Sequence, residues 1–189
     1  MLGIPKDQMY IAWITTGTKV ARDKTFYETH KKALITQGYQ FEEMDIEGKN
    51  EEELYKMFAG KQVIHMEGGN TFYLLNAVRE SGFENVLRRL LDEGITYVGS
   101  SAGAYITCPT IEMMYWKPKG HPTYGVTDLK AMNLVPFLLL VHYKDELEHI
   151  IKEKIKTASH PVRILRDGQG ILVENGKYTF VGDGEEVKL

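Results

Sequence analysis

The chain has 189 residues, 43% of them hydrophobic, a size and apolar content that suit one domain with a well-buried core. Its 23 basic and 26 acidic residues leave a formal net charge of −3, and no block of like charge marks a surface for nucleic acid or a membrane. One cysteine excludes an intrachain disulfide, and the first residues lack the long apolar run of a secretory signal, so the expected setting is cytoplasmic and the expected partner a small molecule.

In chain order, Tyr10 to Ile14 reads as a first buried strand. A helix from Thr25 to Gln37 stops at Gly38, and a second runs from Glu51 to Phe58 behind Asn50. Val63 to Met66 reads as a strand that passes through Glu67-Gly68-Gly69 into a helix from Thr71 to Arg79, with Asn70 at its start. The helix from Glu84 to Glu93 stops at Gly94 before the short strand Tyr97-Val98. Residues Ile111 to Asn133 form a long irregular stretch, of the kind that folds over a site. Leu134 to Val141, interrupted by Pro136, is far too short to span a bilayer and reads as a buried strand. An amphipathic helix from Asp145 to Ala158 and a strand from Val162 to Leu165 follow. Gly170 to Glu174 and Lys177 to Val181 flank Asn175-Gly176, a pair suited to the type I′ turn of a hairpin. This alternation predicts an α/β fold, a three-layer sandwich with a mostly parallel sheet, helices on both faces and a C-terminal antiparallel hairpin, over residues 1–189 as one domain.

The chemistry concentrates at Gly99-Ser100-Ser101-Ala102-Gly103, where a strand turns into a helix. In a G-x-S-x-G turn, small neighbours let strand and helix approach closely and push the serine hydroxyl outward, so Ser101 is the candidate nucleophile. Backbone N–H groups at the start of the next helix could stabilise an oxyanion. A serine nucleophile needs a base and a group to orient it. His142 follows Leu138-Leu139-Leu140-Val141 at the expected carboxyl edge of the sheet, and Asp167 stands where the Val162 strand turns over. The other histidines have plainer readings. His30 and His149 are expected on solvated helix faces, His65 lines the site or is buried, and His121 and His160 precede prolines in loops. Gly68-Gly69-Asn70-Thr71 either completes an oxyanion hole or is a tight turn. G-x-G-x-x-G, Gly-Lys-Ser/Thr and metal-ligand spacings are all missing, so neither cofactor nor metal is expected.

Taken in order, Gly68-Gly69-Asn70-Thr71-Phe72, Gly99 to Ala104, Cys108-Pro109-Thr110-Ile111, Leu134 to Phe137, His142-Tyr143 and Leu165-Arg166-Asp167-Gly168 resemble the aspartyl dipeptidase (dipeptidase E) and cyanophycinase family of serine peptidases. The resemblance implies a fold similar to class I glutamine amidotransferases, whose elbow carries cysteine; here the elbow carries Ser101, and Cys108 is assigned to the core. By position it implies Ser101 as nucleophile, His142 as base, Asp167 as third member, and the N–H groups of Gly69 and Ala102 as the oxyanion hole. The order Ser, His, acid differs from that of α/β-hydrolase esterases, which would need a pair such as Asp145 with His160. Asn70, Glu112, Lys144 and Arg166 flank this arrangement and are candidates for holding a peptide's amine and side-chain carboxylate.

Three departures qualify the likeness. The dipeptidase branch usually carries Glu where this chain has Asp167, which shortens the reach to His142 by about 1.5 Å. Glu112-Met113-Met114-Tyr115-Trp116 replaces a Thr/Asn/Asp-containing segment associated with the substrate pocket. The family normally begins with another strand and helix where this chain has nine residues before Tyr10, and a sheet short of a strand would expose unpaired backbone, so either self-association or reduced stability is expected. The expected function is hydrolysis of short peptides, including Asp-X, through an acyl-enzyme. The alternatives are a noncatalytic ligand-binding homologue and an esterase or amidase.

Overall fold

Tyr10–Ile14 (β1), partly buried at Tyr10 and buried at every residue after it, is covered on both faces and sets the plan of the first half of the protein. The computed structural model describes residues 5–116 and 122–189, and these fall into two units: 5–106 with 122–128, and 107–116 with 129–189. In the first, β1 pairs in parallel with Gln40–Met44 (β2) and Val63–Met66 (β3), and β3 with Thr96–Gly99 (β4), in the order β2-β1-β3-β4. The register aligns Ile14 with Met66 and Met66 with Gly99. Three strands therefore release their loops side by side at one carboxyl edge, where ligand sites of open parallel sheets gather.

Period-2 alternation sends Ile11, Trp13 and Val63 to one face. There Thr25–Thr36 (α1) covers them, with the Tyr27 ring stacked 5.0 Å from Trp13 and Phe41 edge-on at 5.6 Å. Ala12, Ile14, Ile64 and Met66 take the opposite face and are fully buried, each large side chain contributing about 1.5–3 kcal/mol. Glu51–Phe58 (α2), Thr71–Ser81 (α3) and Phe83–Asp92 (α4) pack on one another, with the Phe58 and Phe83 rings 5.9 Å apart. Asn50 caps α2 in a reciprocal box with Glu53, and Gly82, at φ 69°, ends α3 in a left-handed turn. Sequence periodicity did not reveal β2, because Glu42 and Glu43 occupy its middle. It is an edge strand, and those carboxylates pair with Lys61 and Lys31 at 2.7 and 2.6 Å rather than with a core.

The second unit has a short parallel pair, Leu138–Leu140 (β5) with Val162–Ile164 (β6), and an antiparallel hairpin, Gly170–Glu174 (β7) with Lys177–Val181 (β8). Asn175 and Gly176 have φ of 50° and 73°, the left-handed pair a type I′ turn requires. β5 is shorter than the apolar run because Leu134 and Val135 donate to the Thr107 carbonyl and Pro136 has no N–H. The expected helix after it divides into a 3₁₀ turn, Asp145–Leu147, and a helix, Glu148–Ile155. The irregular stretch is partly ordered, with a 3₁₀ turn at Glu112–Tyr115 and a bridge between Thr110 and Lys130; His121 lies outside the described residues. No described helix is long and apolar enough to cross a membrane.

Candidate active site

β4 ends at Gly99 and the four-residue helix Ala102–Tyr105 (α5) begins two residues later, so the chain must reverse within Ser100 and Ser101. Ser101 absorbs the reversal at φ 49° and ψ −105°, a conformation that costs a side-chain-bearing residue on the order of 1–3 kcal/mol. Packing imposes it. A Cβ on Gly99 would lie 2.5 Å from the Gly103 carbonyl oxygen, and one on Gly103 only 2.2 Å from that of Met66. The turn and the β3 strand end thus touch through bare backbone.

The loop after β3 lies against the same turn. A Cβ on Gly68 would stand 3.2 Å from Ser101 Cβ, and one on Gly69, at φ 131°, 2.1 Å from the Gly17 carbonyl oxygen. Asn70 N–H donates to that Gly17 carbonyl at 3.0 Å and locks the loop to the 3₁₀ turn Thr16–Thr18 that follows β1. No described residue accepts from the backbone N–H of Gly69 or Ala102. The Asn70 side chain is occupied at both ends, with Oδ1 accepting from Tyr73 N–H to cap α3 and Nδ2 donating to the Pro122 carbonyl.

Beneath this loop is a polar group that sequence reasoning missed. Glu67 is 1% exposed. Its Oε2 accepts from Trp13 Nε1 at 3.1 Å and lies 2.8 Å from His30 Nδ1, while Oε1 accepts from Gly68 N–H at 2.6 Å. Burial pushes the carboxyl upward, but the bonds from His30 and Gly68 outweigh it and hold it below the ordinary 4.5. The Glu67 bond raises His30 above 6.5. His30, on α1 and still nearly half exposed, is thus also a partner of the buried carboxylate, a role its sequence surroundings did not show. His65, the other titratable group near Glu67, is driven down by burial and lies 2.9 Å through Nε2 from Ser100 Oγ.

The pair's stabilisation has a definite pH window. The raised histidine stabilises the fold below its ordinary 6.5 and loses this as pH rises through its folded value; the depressed carboxylate stabilises above 4.5 and loses this as pH falls. Thermal melts should therefore show the widest gap between wild type and His30→Gln from pH 4.5 to 6.5, narrowing on both sides. A gap constant from pH 4 to 9 would remove the ion pair as its cause.

In the second unit, the parallel register of β5 and β6 continues beyond both strands, with Leu165 N–H on the Leu140 carbonyl and Tyr143 N–H on the Leu165 carbonyl. This carries His142 and Asp167 to the same end of the pair. His142, at φ 57°, sets Nδ1 2.5 Å from Asp167 Oδ1. Arg166 turns to Asp145 at 2.5 Å and lies 5.0 Å from the Tyr143 ring centre, while His160 Nδ1 is 2.7 Å from Ser159 Oγ. Asp145 and His160 thus have other partners than each other. Glu112 accepts from Ser159 N–H and Oγ at 3.1 and 2.5 Å and from Thr110 Oγ1 at 3.0 Å, which ties it to the segment before β6. Lys144 is exposed ahead of the Asp145 turn. Cys108 is buried, its Sγ accepts from Leu139 N–H at 3.2 Å, and burial pushes its thiol up to about 12, which suits core rather than nucleophile.

The model of peptidase family S51 matches residues 4–181. An uncharacterized peptidase of Pasteurella multocida is 29% identical over 169 residues, 87% of this chain and 81% of that protein. Another, from Listeria monocytogenes, is 32% identical over 147 residues, 78% of this chain and 72% of that protein. A crystal structure of a Listeria monocytogenes EGD-e protein, assigned provisionally to peptidase E, superposes with a TM-score of 0.80 at 26% identity, over 93% of this chain and 87% of that one.

Proposed function

Because the chain belongs to peptidase family S51, we propose that it is a serine-type dipeptidase that hydrolyses short peptides, Asp-X among them, through Ser101, His142 and Asp167. The observation that carries the reading is Ser101 held at φ 49° between two glycines that leave no room for a side chain. Packing imposes that φ on whatever residue stands there, and glycine would adopt it at less cost, so a serine at this turn supports a task for its hydroxyl.

In the proposed reaction, the Asp167 carboxylate accepts a hydrogen bond from His142 Nδ1–H, which leaves Nε2 as the basic nitrogen. Nε2 accepts the Ser101 hydroxyl proton as Oγ attacks the peptide carbonyl. The N–H groups of Gly69 and Ala102, which no described residue engages, stabilise the tetrahedral oxyanion. His142 then protonates the leaving amine, and water, activated by the same nitrogen, releases the acyl group from Ser101. Lys144 and Arg166 are the cations assigned to a substrate carboxylate. Asn70 and Glu112, each held by structural bonds, are assigned to shaping the amine end.

The test is hydrolysis of an Asp-X and Gly-X dipeptide panel together with fluorophosphonate labelling mapped by mass spectrometry. The expected result is Asp-X turnover with label on Ser101. Labelling with ester but no peptide turnover would make the protein an esterase, and neither label nor turnover would make it a noncatalytic binder.

A further inference from the structure

A buried carboxylate is costly unless its charge is matched and its oxygens are bonded, and an amide or apolar side chain would fill the same space at less cost. Glu67 meets both conditions in a particular way. Its two oxygens divide the work: Oε2 is gripped by Trp13 of β1 and His30 of α1, at 3.1 and 2.8 Å, and Oε1 holds, among the described residues, only the Gly68 N–H, at 2.6 Å. The carboxylate is thereby fixed to two elements of the first unit and extends one rigid acceptor to the loop that follows it.

That loop needs such a hold. Gly69 sits at φ 131°, which has no intrinsic preference to keep it there, and Gly68 lies against Ser101 on one side and Phe26 of α1 on the other, at 3.2 and 3.7 Å from an added Cβ. Fixing the Gly68 N–H fixes the peptide plane before it, and with Asn70 N–H tied to Gly17, only the Gly68–Gly69 plane between them remains to be set. We propose that Glu67 is a positioning residue, with His30 as its counterion, that aims the Gly69 N–H at the oxyanion formed on attack by Ser101. The inference rests on the Ser101 reading. It adds to that reading a charged device, drawn from β1, α1 and the loop after β3, that touches no substrate and acts through the Gly68 peptide.

The intact protein tests it through the kinetics of Ser101 phosphonylation by a fluorophosphonate, with the reversible binding constant separated from the maximal rate. Glu67→Gln keeps the shape but has a single acceptor oxygen, so its NH2 must face either the Trp13 N–H and His30, releasing the grip on β1 and α1, or the Gly68 N–H, releasing the loop. Since losing one oxyanion donor costs about 10²–10³, a donor that is present but misaimed should lower the maximal rate about 10-fold, with binding constant and near-ultraviolet circular dichroism preserved. Gly69 amide exchange should quicken in the same variant. A folded Glu67→Gln protein with an unchanged rate overturns the proposal, as does an equal loss in binding and rate, which would mark general loosening. If Glu67→Gln does not fold, His30→Gln is judged by the same split, with a smaller fall in maximal rate expected. A wild-type protein that is never labelled at Ser101 overturns the nucleophile assignment and the positioning role with it; labelling that is insensitive to Glu67 overturns the positioning role alone.

Discussion

Alanine at Ser101 or at His142 is expected to lower kcat on an Asp-X dipeptide by about 10⁴-fold or more, and the double variant is expected to be no slower than either single one. The non-additivity is the sharper part of the prediction. Nucleophile and base share one proton transfer, so once either is gone the other has nothing left to do, and only binding and the oxyanion donors remain. Effects that multiplied would mean that the two residues act separately, and the proposed pairing would fail. Asp167→Asn should cost about 10³–10⁴, because an amide cannot hold the tautomer in which Nδ1 is the donor. Asp167→Glu separates geometry from charge. Asp167 already reaches His142 at 2.5 Å in a turn held by Gln169 N–H on the Arg166 carbonyl and by Arg166 N–H on Gln169 Oε1. The shorter acid is accommodated by the backbone, so the longer one should bring no gain, contrary to what a simple deficit of one methylene would give. Steady-state kcat and KM for the five variants decide each of these points.

Local signals in the chain were legible because each has a local cause. The apolar run Tyr10–Ile14, the cap at Asn50, the Asn175-Gly176 turn and the close approach of Gly99 to Gly103 each leave a signal within a few residues, although Gly103 also answers to Met66 far along the chain. What escaped was set by distant partners. β2 is a strand because β1 offers it a ladder from Tyr10↔Gln40 to Ile14↔Met44, and its own residues, rich in glutamate, give no strand signal. Leu134 to Val141 reads as one strand, yet Thr107 captures its first half. His30 has the sequence surroundings of an exposed helix residue, and only packing α1 on β1 shows that it answers a carboxylate 37 positions away. The acidic Glu67 in an otherwise apolar strand end was the one available hint, since charge at such a position needs a partner.

The Gly99 and Gly103 contacts yield the largest stability effect. Gly103→Ala is expected to destabilise the protein by about 3 kcal/mol or more, lowering the melting temperature by about 6–12 °C in a chain of this size, and to abolish Ser101 labelling. The direction is informative because propensity predicts the opposite. Gly103 lies within α5, where alanine should be favoured by about 0.5–1 kcal/mol. What opposes it is the Met66 carbonyl oxygen, 2.2 Å from the new methyl, a backbone atom at the end of an interior strand that is held by the Ser100 N–H and cannot swing aside. To make room, α5 must lift from β3, and Ser101 and Ala102 lift with it, since Ala104 and Tyr105 N–H both bond the Ser101 carbonyl. Stability and labelling should therefore fall together. Gly176→Ala supplies the contrast, because an added Cβ there meets none of the described residues within 4 Å, while the strain of φ 73° opposes it. It should cost stability modestly and leave labelling intact. A Gly103→Ala protein that melts within about 2 °C of wild type, less than 1 kcal/mol at this size, would show that the helix has room to move and that close backbone approach does not hold Ser101 in its strained turn.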